Sequence, residues 1–311
     1  MIVSSDVEYW LKQANLPLHD RIGKAPEELL AYVAKVNNST FADQLPAQAE
    51  LNPDFLNDIR VAIVDMPPPV LQLLDKPLLG VYLGCGLGSS AVTDVVAGPD
   101  GKVLGLVTLM DADAFLDRTA NDWASWKENT PFLPGSAFQV HLQIETAEND
   151  NRKNAMQFLL LHEFGHVLTA NSEFLPDWWI GSQKFRSTEE YSFLSLSWQI
   201  AMSGDIIPLL RHDFEHRKDL RFYSDQQVDG DLIPGIYKAL EKTGFSSLYA
   251  ATNAYDDFAE AFAMYVHGMM MGKPYRLSIR SGDEIIMEVA DYWSSPRARS
   301  RKQLFAEYLG N

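Results

Sequence analysis

One stretch constrains this chain more than any other: Asn154-Ala155-Met156-Gln157-Phe158-Leu159-Leu160-Leu161-His162-Glu163-Phe164-Gly165-His166-Val167-Leu168. Apolar residues crowd both sides of the polar core and no proline interrupts the run, which predicts a helix. On a helix, residues four apart lie on one face, so the imidazoles of His162 and His166 can reach one metal ion. Glu163 then projects beside the ion rather than onto it, where it can take a proton from water. The H-E-x-x-H spacing carries this chemistry in zinc hydrolases. The bland alternative is a buried helix whose histidines hydrogen-bond into a core. Two histidines and a glutamate in so apolar a helix are costly without strong partners, which favours Zn2+.

Composition bounds what such a helix can belong to. The 311 residues, 46% of them hydrophobic, suffice for one large domain or two small ones with a sizeable core. With 26 Lys+Arg against 42 Asp+Glu, the net charge is -16. That balance argues against a nucleic-acid partner gripped by its phosphates and against docking on anionic membranes. The single cysteine, Cys85, excludes an intrachain disulfide. Residues 1–8 have neither a basic segment nor an apolar one of signal-peptide type. No apolar run approaches the ~20 residues that cross a bilayer. A soluble, cytoplasmic protein is expected.

Residues 5–75 read as mostly helical. Pro26-Glu27-Glu28 suits a first helical turn, and a second helical piece runs from about Asp54 to Val64. Pro67-Pro68-Pro69 breaks it, reading as a rigid turn into 70–74 rather than a ligand for a proline-binding domain. Residues 79–83, 91–96 and 103–110 read as strands, the last two flanking the turn Gly98-Pro99-Asp100-Gly101. Gly84-Cys85-Gly86-Leu87-Gly88-Ser89-Ser90 lacks the lysine and spacing of a phosphate loop, so a strand connection with positive φ angles is expected. Cys85 has no local partner that would make it a nucleophile, and reads as inert.

Residues 111–130 predict a helix with Trp123 and Trp126, and 138–145 alternate as a half-buried strand with His141 on the polar side. A strand just before an H-E-x-x-H helix suits the edge that pairs with an extended substrate in many zinc peptidases. The aromatic-rich segment 171–248 predicts a mostly helical wall of a cleft. Within it, His212-Asp213-Phe214-Glu215-His216 fits an inverted H-x-x-E-H pattern. Arg211, Arg217, Lys218 and Arg221 would repel a metal there, so a solvated helix with local ion pairs is expected. Residues 275–280 and 285–289 flank Ser281-Gly282-Asp283 as a hairpin, and 295–309 predict a basic, solvated terminal helix.

A catalytic zinc takes three protein ligands and keeps one position open. The run Tyr249-Ala250-Ala251-Thr252-Asn253-Ala254-Tyr255-Asp256-Asp257-Phe258-Ala259-Glu260-Ala261-Phe262-Ala263 predicts a second helix starting near Asn253. Asp256 and Glu260 share a face, so one can bind the metal while the other accepts the free N–H of a ligand histidine. His267, seven beyond Glu260, reads as a capping or core histidine, and Met269-Met270-Met271 as gap-filling residues.

This second motif, taken with 162–166, resembles the catalytic domains of the gluzincin-type metallopeptidases of the anthrax lethal factor and Pro-Pro endopeptidase group. The resemblance implies Asp256 as third ligand, Glu260 as a supporting residue and Tyr249 as a donor to the oxyanion. It covers only these two short stretches. The ligand position holds Asp where Glu is usual, which keeps Glu260 open as the alternative ligand, and the interval between the motifs is longer than the family's.

The resulting expectation is an α+β chain with a zincin-like core. It has a small mixed sheet with an edge strand at 138–145, an active-site helix and a mostly helical C-terminal lobe. Residues 1–76 form a helical region packed on a catalytic domain at 77–311, with an upper lobe to about 170 and a lower lobe at 171–311. The expected activity is hydrolysis of peptide bonds in a peptide or protein substrate, with His162, His166 and Asp256 on Zn2+, Glu163 as base and Tyr249 as donor. The alternatives are a zinc amidohydrolase acting on non-peptide amides, and a zinc-holding regulatory module without turnover.

Overall fold

The computed structural model describes residues 1–37, 45–50 and 52–310. In chain order the elements are β1 (Ile2–Val3), α1 (Val7–Ala14), β2 (Ile22–Lys24), α2 (Glu27–Asn37), β3 (Ala47–Gln48), α3 (Pro53–Val64), α4 (Pro68–Leu74) and β4 (Leu78–Cys85). Then follow β5 (Ala91–Ala97), β6 (Val103–Asp111), α5 (Ala120–Asn129), β7 (Gln139–Gln143), α6 (Arg152–Thr169), α7 (Leu194–Ser197), β8 (Trp198–Ile200) and β9 (Ile206–Pro208). The chain closes with α8 (Ile233–Leu240), α9 (Ala254–Met264), β10 (Arg276–Ser281), β11 (Glu284–Glu288) and α10 (Arg299–Leu309). The fold is therefore mixed α/β. No described helix is long and apolar enough to cross a membrane.

Local chemistry opens the helices. Asp6 accepts the Tyr9 N–H at the start of α1, and Asn52 accepts the Asp54 N–H at the start of α3. Pro68 and Pro69 occupy the first turn of α4, where a missing N–H removes no helical bond. The chain then divides into two compact units. One is Met1–Thr119 with Asn151–Leu168; the other is Ala120–Asp150 with Thr169 onward.

The first unit is built on a six-stranded mixed sheet, in the order β1-β5-β6-β4-β2 with β3 on β4. The strands β5 and β6 form the antiparallel hairpin that the Gly98-Pro99-Asp100-Gly101 turn predicts, with Gly101 at φ 78°. β6 also pairs in parallel with β4, so it lies between its two predecessors. The short strands β1, β2 and β3, in a region that reads as helical, belong to the same sheet. One core cluster holds Trp10, Leu29, Leu30 and Val33 from α1 and α2 against Tyr82, Val107 and Leu109. Thr108 alternates with Val107 and Leu109, so its side chain points to the opposite face of β6.

Gly86 and Gly88 have φ values of 69° and 78°, and the Leu87 N–H donates to Asp111 Oδ2 at 2.8 Å. A carboxylate thus occupies the centre of the glycine loop, which makes it a strand connection and not an anion cradle. Burial, then Asp113 and Asp111, push the Cys85 thiol up to about 11, consistent with an inert residue.

In the second unit, β7, β10 and β11 make an antiparallel sheet in the order β11-β10-β7. The expected strand at 138–145 is therefore an edge strand, but of this separate sheet rather than the mixed one, because the C-terminal hairpin supplies its partner. The helix α9 runs through the core of the unit, with Phe258, Ala259, Ala261 and Phe262 fully buried. Phe174, Phe193 and Phe305 pack around Phe258. A π-helical turn, Tyr265–Met270, extends it. There the buried His267 donates through Nε2 to the Ile144 and Pro274 carbonyls, the core role expected of it.

Three further expectations fail. Between α6 and α8 the chain holds only short 3-10 turns, α7 and the β8–β9 pair, not a helical wall. Pro176, Gly181, Gly204 and Pro208 interrupt any helical period, and buried Tyr191, Phe193 and Trp198 fix the irregular backbone instead. Segment 111–130 divides into a 3-10 turn, Ala112–Phe115, and the shorter α5. The terminal helix α10 is not wholly solvated, since Arg301 is buried against Asp257, with bonds of 2.6 and 2.7 Å.

Candidate metal centre

The helix α6 places the first motif. Its N-terminal end is tied to α3 by Arg152, 2.6 Å from Asp58, and by Lys153, 2.9 Å from Asp65. Deeper, the buried Gln157 donates to the Ala62 carbonyl at 2.9 Å. Ala155, Met156, Phe158, Leu160, Leu161, Phe164 and Val167 bury the remaining surface, so the helix has little freedom to rotate or slide.

His162 and His166 then meet one turn apart on a fixed helix. Their Nε2 atoms are 3.2 Å apart and their rings stand edge to face, with centroids 4.9 Å apart. Two nitrogens bound tetrahedrally to zinc at ~2.0–2.1 Å lie about 3.3 Å from each other. The donor set and its spacing therefore fit zinc. His162 and Glu163 are each only 4% exposed, and His166 is half-buried.

Glu163 has a partner that sequence reading does not reveal. Thr93 on β5 donates through Oγ1 to Glu163 Oε2 at 2.7 Å. Directly opposite on β6, Thr108 places its Oγ1 2.9 Å from that of Thr93. The one sequence signal is a threonine, Thr108, inside the otherwise apolar run Leu106-Val107-Thr108-Leu109-Met110. It says that a hydroxyl is buried, not what it meets.

In the second unit, Asn253 caps α9 by accepting the N–H groups of Tyr255 and Asp256. The predicted helix start is therefore correct. Three carboxylates leave this helix in different directions. Asp257 is fully buried, bound by Arg301 and by the Trp198 indole N–H at 2.8 Å. Burial, opposed by Arg301, pushes its carboxyl up to about 6. Glu260, also buried, pairs through Oε1 with the Lys127 ammonium and accepts from Ser247 at 3.1 Å. Asp256 is half-buried, and its Oδ2 accepts from Thr252 Oγ1 at 3.1 Å and Asn253 Nδ2 at 2.6 Å.

Lys127 links this network to the predicted tyrosine, its ammonium lying 4.4 Å from the centre of the Tyr249 ring. Phe222 packs on Tyr249 with ring centroids 4.7 Å apart. Beside Lys127 sits Glu128, buried, with Oε2 accepting the Tyr237 hydroxyl at 2.9 Å and Oε1 4.0 Å from the ammonium. Burial works against the Lys127 cation, but Glu260 and Glu128 outweigh it and raise its pKa. Burial pushes Glu128 up to about 7 even against Lys127.

The rival motif does not form a helix. Leu210–His212 is a 3-10 turn, Asp213 is extended, and His216 has φ 65°. His212 Nδ1 accepts the Gly244 N–H at 3.1 Å, while His216 lies 3.2 Å from Asp219. The Arg217–Asp213 pair at 2.7 Å bears out the expectation of local ion pairs.

No protein-family model, curated protein or solved structure matches the chain.

Proposed function

We propose that the chain is a zinc-dependent metallopeptidase of the zincin type, with His162 and His166 as ligands of the metal and Asp256 as the third, as the family resemblance implies. The observation that carries the reading is the convergence of the His162 and His166 Nε2 atoms beside Glu163 on a buried, immobilised helix. The mixed sheet with Thr93 and Thr108 against that helix supports the zincin-like reading of the first unit. Pairing of Glu260 with Lys127 favours Asp256 over Glu260 as ligand, because a buried cation already neutralises Glu260.

When bound, zinc supplies Lewis acidity toward water and toward the scissile carbonyl. Glu163, which is not a ligand, takes the proton of the attacking water and delivers it to the leaving amine. Tyr249 donates its hydroxyl to the oxyanion, the role that the family resemblance implies. Lys127 above its ring restrains that side chain. The acidic surface favours basic peptides over nucleic acids or anionic membranes as partners.

Metal analysis and peptide-library cleavage test the reading together. Wild type should carry about one zinc per chain, as expected for a single catalytic site. Glu163→Gln should keep that zinc while turnover falls at least ~10²-fold, the lower end for a positioned base. Undiminished cleavage by Glu163→Gln would overturn the mechanism.

A further inference from the structure

We infer that Thr93 and Thr108 form a hydroxyl relay that positions the Glu163 carboxylate for proton transfer, an inference that rests on the metallopeptidase reading. The two threonines are opposed residues of the β5–β6 hairpin, with hydroxyl oxygens 2.9 Å apart. Each hydroxyl has one proton to give. The stronger acceptor near Thr93 is the Glu163 carboxylate, at 2.7 Å from Oε2. Thr93 therefore spends its proton on Glu163 and must accept from Thr108. The direction of the chain follows: Thr108 to Thr93 to Glu163. Thr108 is fully buried, so its hydroxyl does not face bulk solvent.

This arrangement does more than satisfy a buried carboxylate. A glutamate has three side-chain torsions between backbone and oxygens, and a helix alone fixes none of the outer ones. Anchoring Oε2 to a strand of the sheet sets the carboxylate plane and leaves Oε1 as the oxygen that receives the proton. Thr93 Oγ1 also lies 3.4 Å from the Glu163 backbone carbonyl, so the hydroxyl nests against the helical turn carrying the base. Sheet and helix are thereby coupled at the atom where placement matters most. Thr93 and Thr108 are positioning residues acting through Glu163. They touch neither metal ligand in this role, and no proton leaves either hydroxyl during turnover.

The test uses the full chain loaded with zinc, and the metal-free chain as a second readout. Thr93→Val removes the donor and keeps shape and strand preference. It should lower kcat about 10- to 100-fold, the cost of losing an outer partner of a catalytic group, with KM and zinc content unchanged. Thr93→Ser keeps the hydroxyl and should restore most of the rate. Thr108→Val should cost less than Thr93→Val, since the bond to Glu163 survives it. In the metal-free protein, the Tm losses of Thr93→Val and Glu163→Ala should be less than additive in the double variant, because both remove one contact. Should Thr93→Val not fold, Thr93→Ala takes its place with the same expectations. Wild-type turnover with unchanged kcat in Thr93→Val, or a Thr93→Ser variant as slow as Thr93→Val, overturns the relay and leaves the peptidase reading standing. Additive Tm losses overturn the contact itself. A zinc-loaded wild type without any turnover overturns both readings.

Discussion

Glu128 is the residue whose titration should be visible in stability. It shares a buried site with one cation, Lys127, and a second carboxylate, Glu260. Tyr237 and Tyr275 are the other titratable groups that sense its charge. One ammonium neutralises one carboxylate, and Glu260 has the closer contact. Burial therefore pushes Glu128 up to about 7, from an ordinary value of 4.5. A carboxyl whose pKa is raised by folding binds a proton more tightly in the native state. Its contribution is fully present below the unfolded pKa and is lost as pH rises through the folded one. Between about pH 4.5 and 7 the loss runs at about 1.4 kcal/mol per unit, so about 3 kcal/mol in all, and it levels off above. For a chain of this size that corresponds to about 5 °C in Tm. Glu128→Gln carries no such proton and should abolish this component. Thermal unfolding of both proteins at pH 5, 6, 7 and 8 isolates it by difference. The wild type should lose stability relative to Glu128→Gln as pH rises from 5 to 7, then run parallel. A pH-independent difference between the two would refute the charge assignment in this cluster.

Three further outcomes follow from the same network and its neighbour. Asp256→Ala should lose most of the zinc, whereas Glu260→Ala should lose stability, by less than the ~3–5 kcal/mol of a fully stranded charge because Glu128 still lies 4.0 Å from the Lys127 ammonium, and Lys127→Met added to it should recover part of that loss. Urea unfolding and metal titration separate the two; near-normal zinc affinity in Asp256→Ala would exchange their roles. Tyr249→Phe should retain zinc and substrate affinity while kcat falls ~10²–10³-fold, as for loss of one oxyanion donor, and an unchanged kcat would remove Tyr249 from the mechanism.

What could be read in the sequence was set by local chemistry. The turn residues at 98–101 and 281–283 mark the β5–β6 and β10–β11 hairpins, since few residues tolerate those backbone angles. Asn253 marks the start of α9 because its side chain replaces missing helical partners. The histidine pair was legible because helical spacing alone puts both rings on one face. Contacts between distant residues were not legible. Thr93 and Glu163 are 70 residues apart, and Lys127 and Glu260 are 133 apart. Nothing in the local run of a threonine or a lysine names such a partner. The strands β1, β2 and β3, two or three residues each, were equally hidden, because pairing with a longer neighbour, not periodicity, makes them strands. The stretch after α6 is hard to read for a related reason: its aromatics signal burial, and burial alone does not distinguish a helix from an irregular backbone.

The three carboxylates of α9 show how tertiary partners divide one acidic helix among different tasks. From sequence, Asp256, Asp257 and Glu260 are near-equivalent anions. In the fold, Asp257 is bound by Arg301 and the Trp198 indole, which fastens α10 and the β8 segment to the helix. Glu260 is bound by Lys127, which fastens α5. Either carboxylate, if it turned to a metal instead, would take the closest anionic partner from a buried cation, which is costly. Asp256 accepts from two neutral donors, Thr252 and Asn253, that help to orient it. Such orientation suits the ligand role proposed for Asp256, since it lowers the entropy lost on binding. Glu163 is likewise held by a neutral hydroxyl, that of Thr93, which suits the role of base proposed for it.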